Sequence, residues 1–105
     1  MSYAVYILKC SDGTYYTGLT KDLVGRIQDH QKGILITSYT YSRRPIELVW
    51  NVVTESYPEA LLWEQKIKGW SRAKKEALIR GDIDGIHEIV KAERKRREQN
   101  KKQSR

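Results

Sequence analysis

The stretch AVYILKCSDGTYYTGLT, residues 4–20, holds two runs of strand-forming residues on either side of an Asp-Gly turn. β-Branched and aromatic residues are dense in both runs, which predicts an antiparallel hairpin with strands at about residues 3–10 and 14–20. The hairpin carries the tyrosines Tyr6, Tyr15 and Tyr16. Tyrosines in strands are mostly packing residues, so a further role depends on which of them share a face of the sheet.

Two turn geometries fit this hairpin. A two-residue turn would put Tyr6 and Tyr16 on opposite faces of the sheet. A type I turn followed by Gly13 in the left-handed conformation, which forms a bulge, instead pairs Leu8 with Tyr16 and puts Tyr6 and Tyr16 on one face. The turn residues alone do not choose between the two registers.

A short helix and a third strand follow the hairpin. The pattern predicts a helix over residues 21–32, with Thr20 as its N-cap and Gly33 as its stop. Residues 34–45 have no clean period and end in proline, so we expect a loop there. Residues 46–53 are again rich in β-branched and aromatic residues and predict the third strand of one small sheet.

Three more helices are expected in the second half of the chain. Ser56 stands three residues before Glu59, which is the spacing of a capping box, and Pro58 falls in the first turn where its missing N–H does no harm. Ser71 and Asp84 are the expected N-caps of the next two helices.

The net charge of +7 is concentrated at the C-terminal end. Residues 91–105 hold eight Lys or Arg against two Glu, which leaves residues 1–90 nearly neutral. A chain of 105 residues is long enough for one modest core. We therefore expect a single domain over residues 1–90, and a basic helical extension with a disordered tail over residues 91–105 that contacts nucleic acid.

Cysteine usage and hydropathy indicate the compartment. The lone Cys10 excludes an internal disulfide and a cysteine-based metal cluster, which fits a reducing cytoplasm. The sequence shows neither a leader pattern nor a run of 18 apolar residues. We expect a soluble cytoplasmic protein that does not bind membranes, and we take it to be a monomer.

Two polar residues border the apolar stripe of the helix at 21–32. With an advance of about 100° per residue, Leu23, Val24 and Ile27 form the stripe, and Arg26 and His30 lie beside it. They are either an ordinary edge arginine and a hydrogen-bonded histidine, or a pair that faces whatever the sheet presents.

The helix that begins near Ser56 carries a carboxylate inside its apolar sector, at Glu64. The apolar members of that sector are Ala60, Leu61, Trp63, Ile67 and Trp70. Burying an unpaired carboxylate costs several kcal/mol, so Glu64 must be paired, protonated or bound to a cation. The two leading interpretations are a salt bridge to an arginine at the edge of the core, and a ligand for a hard divalent cation such as Mg²⁺.

Together these residues resemble the GIY-YIG nuclease family. The family's first motif stands here as Ala4-Val5-Tyr6 and its second as Tyr16-Thr17-Gly18, with Ala4 in place of glycine and Thr17 in place of isoleucine. The later helices carry Arg26, His30 and Glu64 at the matching places. The segment YTYSRRP, residues 39–45, is similar to one in small stand-alone bacterial members.

The resemblance implies an α/β fold with a three-stranded antiparallel sheet of order 2-1-3, and metal-dependent cleavage of phosphodiester bonds with Mg²⁺ or Mn²⁺. It also implies that Tyr6 and Tyr16 share one face and line an active site. Carried over to this chain, Glu64 is the metal ligand, Arg26 contacts the scissile phosphate, and Tyr6, Tyr16 and His30 orient or activate the attacking water. Whether Tyr6 or His30 takes the proton stays open.

The expected function is an endonuclease acting on DNA, with branched or damaged DNA in repair as the expected substrate. A catalytically weak nucleic-acid-binding module on the same fold is the alternative, and an adaptor whose tail recruits RNA or a partner is a third possibility. The residues expected to contact nucleic acid are Arg43, Arg44, Lys66, Lys68 and Arg72.

Overall fold

The computed structural model describes residues 1–88, 91–92 and 94–95 of the chain. The chain divides into two compact units, the first Met1–Gly69 and the second made of the described residues from Trp70 onward. The expected division into a domain of residues 1–90 and a tail stays a prediction, and most of the tail lies outside the described residues.

The first unit is built on one antiparallel sheet of three strands, β1 (Tyr3–Lys9), β2 (Tyr15–Thr20) and β3 (Glu47–Thr54), in the order β2-β1-β3. This confirms the predicted fold class and strand order. The central strand β1 is buried at five consecutive positions, so both of its faces are covered. Such a continuously apolar strand is what a sheet with two covered faces requires.

The hairpin adopts the bulged register. Gly13 has a φ of 83°, in the left-handed region, and its N–H donates to the Cys10 carbonyl at 2.9 Å. Leu8 then stands opposite Tyr16, and since side chains alternate along a strand, Tyr6 lies on the same face as Tyr16. The register implied by the family resemblance is confirmed.

Helix α1 spans Leu23–Lys32, and its N-cap is Asp22, whose side chain accepts the Gly25 N–H. The prediction of Thr20 as the N-cap was wrong because Thr20 is the last residue of β2. Its hydroxyl instead accepts the N–H of Asp22 at 3.0 Å and so joins the strand to the helix.

The buried stripe of α1 runs through Leu23, Ile27 and His30, which are spaced i, i+4 and i+7. Val24 was predicted to belong to this stripe, but its side chain is 69% exposed. The stripe is therefore centred on the side of the helix that carries the histidine. His30, which was expected at the rim, is only 1% exposed.

Helix α2 spans Tyr57–Lys68, and the Ser56 side chain accepts the Glu59 N–H at 3.5 Å, as the capping-box spacing predicted. The helix ends at Gly69, so the prediction that Trp70 completes its apolar sector was wrong.

Helix α2 contacts all three strands of the sheet. Ala60 and Ile67 are fully buried, and Trp63 packs on Trp50 of β3 with ring centroids 6.3 Å apart. These contacts fix the side of α2 that carries Trp63 and place its neighbour Glu64 at the border of the packed surface.

In the second unit, helix α3 spans Arg72–Arg80 and is capped by the side chain of Ser71, as predicted. A further helical segment covers residues 83–88. The Asp82 carboxylate accepts the Gly85 N–H at 2.8 Å, so the prediction of Asp84 as the cap was wrong by two residues. No helix within the described part of the chain is both long and apolar enough to cross a membrane.

Thr17 on β2 has a buried hydroxyl whose contribution to stability can be tested. Its side chain is 4% exposed, and its hydroxyl has no hydrogen-bond partner among the described residues. An unsatisfied buried hydroxyl costs about 1–3 kcal/mol. We expect Thr17→Val, which keeps the shape and removes the hydroxyl, to raise the free energy of unfolding by about 1 kcal/mol in a denaturant titration.

Thr54→Val is the matched control for this substitution. The Thr54 hydroxyl is equally buried but donates to the Ser56 carbonyl at 2.9 Å, so its removal should destabilise the protein. A Thr17→Val variant that loses stability as Thr54→Val does would show that the Thr17 hydroxyl is hydrogen-bonded in solution.

Candidate active site

Three of the predicted site residues meet on one face of the sheet. The Tyr6 hydroxyl and the Nε2 atom of His30 lie 3.0 Å apart and share a buried hydrogen bond. The Tyr16 ring lies 6.3 Å from the Tyr6 ring and 5.3 Å from the His30 ring, measured between centroids. The sheet and helix α1 thus bring the two motif tyrosines and the histidine together, while their catalytic roles stay a prediction.

The Tyr6 side chain can reach His30 because residue 18 is a glycine. Tyr6 on β1 and Gly18 on β2 stand opposite each other in the strand register. A Cβ atom at Gly18 would overlap the ring and hydroxyl of Tyr6. Glycine at this position therefore lets the Tyr6 side chain cross β2 and reach the histidine.

Thr40 holds the other side of the imidazole. Its hydroxyl lies 2.7 Å from the Nδ1 atom of His30, and the Ser38 hydroxyl lies 3.1 Å from that of Thr40. Thr40 is 1% exposed, so this is a buried contact. Both ring nitrogens of His30 are hydrogen-bonded, which fixes the orientation of the ring. In the sequence, Thr40 lies in the segment YTYSRRP, which is similar to one in small GIY-YIG proteins, but nothing there indicates this contact.

Burial is the main cause that raises the pKa of the Tyr6 phenol above its ordinary value. The neighbouring Tyr16 and, more weakly, Glu64 raise it further, whereas Arg26 lowers it. Arg26 and Glu64 therefore both lie within electrostatic range of the Tyr6 hydroxyl. The phenol is neutral near pH 7.

Burial also lowers the pKa of the His30 imidazole below its ordinary value, and Arg26 lowers it further, with partial compensation by Asp29. The imidazole is therefore neutral at pH 7. A neutral imidazole has one nitrogen that donates and one that accepts, so it can receive a proton from a neighbour.

The lowered pKa of His30 makes stability depend on pH. Below the ordinary value of 6.5, the unfolded chain binds a proton at this histidine that the native state resists. The stabilising contribution of neutral His30 is therefore complete above about pH 6.5 and is lost as the pH falls through the lowered native pKa. We expect the melting temperature to decrease from pH 7.5 to pH 5.

Two histidine variants test this dependence, because the chain has a second histidine, His87, which is exposed. His30→Gln should flatten the decrease of the melting temperature over this range, and His87→Gln should leave it as in the wild type. An unchanged slope in His30→Gln would contradict the account of His30.

Glu64 has a different partner from the one weighed in the sequence analysis. Its side chain is 15% exposed, and its Oε1 atom lies 3.1 Å from the Nζ atom of Lys68 one turn further along α2. The hypothesis of a salt bridge to an arginine at the core edge was wrong. The lysine side chain is 53% exposed, so this ion pair lies at the surface border.

The Glu64 carboxylate is the kind of ligand that Mg²⁺ takes from a protein. Among residues 1–88, 91–92 and 94–95, no group of three or more His, Cys, Asp and Glu side chains is arranged to hold a metal. Mg²⁺ commonly takes only one or two protein carboxylates and completes its shell with water and substrate phosphate. Glu64, a largely buried carboxylate within electrostatic range of Tyr6, meets that requirement.

Two of the residues predicted to contact nucleic acid are held by the protein itself. The guanidinium of Arg43 pairs with Asp12 at 3.1 Å. The guanidinium of Arg44 lies 5.1 Å from the Tyr41 ring centroid and donates from Nη1 to the Gln31 carbonyl at 3.3 Å. Arg44 therefore also covers the C-terminal end of α1.

The other three predicted contacts are spread over both units. Lys66 and Lys68 are exposed on α2, and Lys68 pairs with Glu64. Arg72 lies in the second unit, where it pairs with Glu76 at 3.4 Å. Their contact with nucleic acid stays a prediction.

Comparison with known proteins gives the class to which this fold and this cluster belong. Residues 2–77 match the GIY-YIG catalytic domain. The chain belongs to the GIY-YIG nuclease family, and membership indicates a nuclease acting on nucleic acid.

Within that family, the chain is similar to small proteins of the UPF0213 group. A UPF0213 protein from Staphylococcus aureus strain Mu3 is 46% identical over 79 residues, which cover 75% of this chain and 95% of the relative. The solution NMR structure of the UPF0213 protein BH0048 from Bacillus halodurans is 44% identical, with a TM-score of 0.51 over 75% of this chain and 83% of that one.

Proposed function

We propose that the protein is a cytoplasmic endonuclease that uses Mg²⁺ or Mn²⁺ to hydrolyse phosphodiester bonds in branched or damaged DNA. The buried hydrogen bond between Tyr6 and His30 carries this proposal. It is a ready pair for proton transfer, and it lies within electrostatic range of a cation, Arg26, and of a carboxylate, Glu64. Hydrolysis of a phosphodiester needs these three kinds of group.

Tyr6 and His30 act on the attacking water together. A phenol with a raised pKa is a poor base by itself, because it resists becoming a phenolate. The imidazole takes the proton in its place: the water gives a proton to the Tyr6 oxygen while the Tyr6 proton moves to Nε2 of His30. The bound anionic phosphate offsets the burial and the Arg26 charge that otherwise disfavour an imidazolium at this position. Tyr6 ends as a neutral phenol and His30 as an imidazolium, while the water oxygen bonds to phosphorus and the bond from phosphorus to the leaving oxygen breaks.

The neighbouring contacts are compatible with this direction of transfer. Nε2 accepts from Tyr6 only in the tautomer that carries its proton on Nδ1, and that proton is then donated to the Thr40 hydroxyl 2.7 Å away. Tyr16 packs against both rings and orients them.

Arg26 and Glu64 act on the phosphate side of the reaction. Arg26 binds the scissile phosphate, since a guanidinium is matched to phosphate oxygens. Glu64 holds the metal, which supplies stabilisation of the charge that develops on the phosphate and the leaving oxygen. Glu64 does not protonate the leaving oxygen, which takes its proton from solvent water.

One observation favours the alternative function, a binding module without efficient catalysis. The Glu64 carboxylate already has a cationic partner in Lys68, and an ion pair of this kind competes with a metal for the carboxylate. The pair is partly exposed and worth about 0–1 kcal/mol, so a bound metal can displace it. The ion pair with Lys68 therefore does not exclude the enzyme.

An assay of purified protein on labelled DNA distinguishes the two functions. Duplex, single-stranded, flap and four-way junction substrates are incubated with Mg²⁺, Mn²⁺ or EDTA. The enzyme predicts internal cuts with either metal and none with EDTA. The binding module predicts shifted complexes on a gel with all substrates intact.

A further inference from the structure

A column of stacked planar groups stands beside the catalytic cluster. The Tyr39 ring stacks on the Tyr16 ring, with an angle of 12° between the planes and 6.4 Å between centroids. The guanidinium carbon of Arg43 lies 3.7 Å from the Tyr39 ring centroid. We call Tyr16, Tyr39 and Arg43 the stacking column.

The hairpin turn holds the outer end of this column in place. Arg43 donates from Nε to the Asp12 carboxylate at 3.1 Å and from Nη1 to the Tyr39 carbonyl at 2.8 Å. The N–H of Ser11 donates to the Arg43 carbonyl at 2.9 Å. Hydrogen bonds from Thr14, with a smaller contribution from Arg43, hold the pKa of the Asp12 carboxyl below its usual range, so the anion that anchors Arg43 is ionised near neutral pH.

The outer members of the column are open to solvent. Tyr39 is 41% exposed, and the Arg43 side chain is 34% exposed. Tyr16 and Arg43 cover the two faces of the Tyr39 ring, so the surface on which a base can stack is the outer face of the Arg43 guanidinium, which Tyr39 supports. Tyrosine rings and guanidinium planes are the groups on which proteins stack unpaired nucleic-acid bases.

The column also leads directly to the proposed reacting atoms. Its inner member, Tyr16, lies 5.3 Å from the His30 ring, which bonds to the Tyr6 hydroxyl. A base stacked at the outer end of the column therefore brings the strand that carries it toward the catalytic cluster.

We propose that the stacking column binds an unpaired DNA base a short way along the strand from the scissile phosphate, so the substrate is DNA with a single-stranded segment near the cut. This inference rests on the proposed nuclease function, whose substrate class it narrows. In an intact duplex the faces of each base are already stacked on their neighbours, and the column cannot reach them.

The test measures binding in EDTA, where no cleavage is required. A single-stranded oligonucleotide that carries the fluorescent base 2-aminopurine is titrated with the wild type, Tyr39→Leu and Tyr39→Trp. A duplex of the same sequence is titrated in parallel. Tyr57→Leu is the matched control, because Tyr57 is 48% exposed but packs on Tyr3, outside the column.

We expect Tyr39→Leu to weaken binding of the single strand by about 5- to 100-fold and to remove the quenching of the stacked 2-aminopurine. Tyr39→Trp, which keeps a planar ring, should bind within about threefold of the wild type. Tyr57→Leu should bind as the wild type does, and Tyr39→Leu should leave duplex binding unchanged.

Two results would overturn the inference. One is an equal loss of single-strand and duplex binding in Tyr39→Leu, and the other is cleavage of a fully paired duplex at a rate that does not depend on Tyr39. The second result would leave the nuclease function standing. Conversely, Tyr39-dependent binding of single strands by a protein that cuts nothing would refute the nuclease and support the column.

Discussion

Tyr6→Phe should lower the rate of DNA cleavage by at least about 100-fold, because it removes the hydroxyl through which the water's proton reaches His30. Loss of a positioned group that transfers a proton typically costs about 10²–10⁴-fold in rate. Affinity for DNA should change little, since the phosphate contacts come from Arg26 and other cations. Single-turnover cleavage and gel-shift titrations measure the two effects separately.

The fold should survive this substitution with a moderate loss of stability. The Tyr6 hydroxyl makes one buried hydrogen bond, and its removal also leaves Nε2 of His30 without that partner, at a cost of about 1–3 kcal/mol. Tyr57→Phe, at an exposed tyrosine of the same unit, is the control and should keep full activity. If Tyr6→Phe cleaves within a few-fold of the wild type, the proton-transfer role of Tyr6 is wrong.

Glu64→Gln should abolish metal-dependent cleavage, with a rate loss of at least about 1,000-fold, because the amide is a far weaker ligand for a hard cation. Stabilisation of charge by a bound metal is worth several kcal/mol, and each 1.4 kcal/mol is about tenfold in rate. DNA binding should persist. The stability should fall by no more than about 1 kcal/mol, because the ion pair that Glu64 makes with Lys68 is partly exposed.

Substituting Lys68 tests whether its ion pair with Glu64 competes with the metal. If Mg²⁺ displaces Lys68 from Glu64, Lys68→Met should lower the Mg²⁺ concentration needed for half-maximal cleavage by up to about fivefold, the equivalent of the ion pair. Lys9→Met removes an exposed lysine of the same unit that is not among the expected nucleic-acid contacts, and it should leave that concentration unchanged. An unchanged requirement in Lys68→Met would show that this ion pair does not compete with the metal. A strong destabilisation of Glu64→Gln, or cleavage by that variant at the wild-type rate, would contradict the metal-ligand role.

The strands and their order could be predicted from sequence because they depend on local composition. Dense β-branched and aromatic residues marked each strand, and Gly13 made the bulged turn possible. The choice between two registers could not be made locally, since both turns satisfy the same residues. It depends on the long-range fit of Tyr6 over Gly18 and onto His30, which only the fold shows.

The candidate site shows the same limit. Helical spacing placed Arg26 and His30 side by side, but it could not show that the stripe would bury His30 and expose Val24. That outcome depends on partners from elsewhere in the chain, because a buried imidazole needs hydrogen bonds at both nitrogens. Thr40, ten residues along the chain, is one of those partners.

The pairing of Glu64 was missed for a different reason. The sequence correctly indicated that a carboxylate in the apolar sector needs a partner. A partner at i+4 was available in Lys68, but a flexible, exposed lysine gives no signal in a pattern of apolar residues.

The most direct test of the proposed active site is the single-turnover cleavage of an end-labelled DNA flap by the wild type in Mg²⁺ and in EDTA, beside Tyr6→Phe purified by the same procedure. Tyr6→Phe controls for contaminating nucleases, since a contaminant would remain in both preparations. We expect the wild type to cut the flap in Mg²⁺ only, and Tyr6→Phe to be at least about 100-fold slower. Equal cleavage by both proteins, or no cleavage by the wild type in Mg²⁺, would contradict the assignment of a metal-dependent nuclease site built on Tyr6, His30 and Glu64.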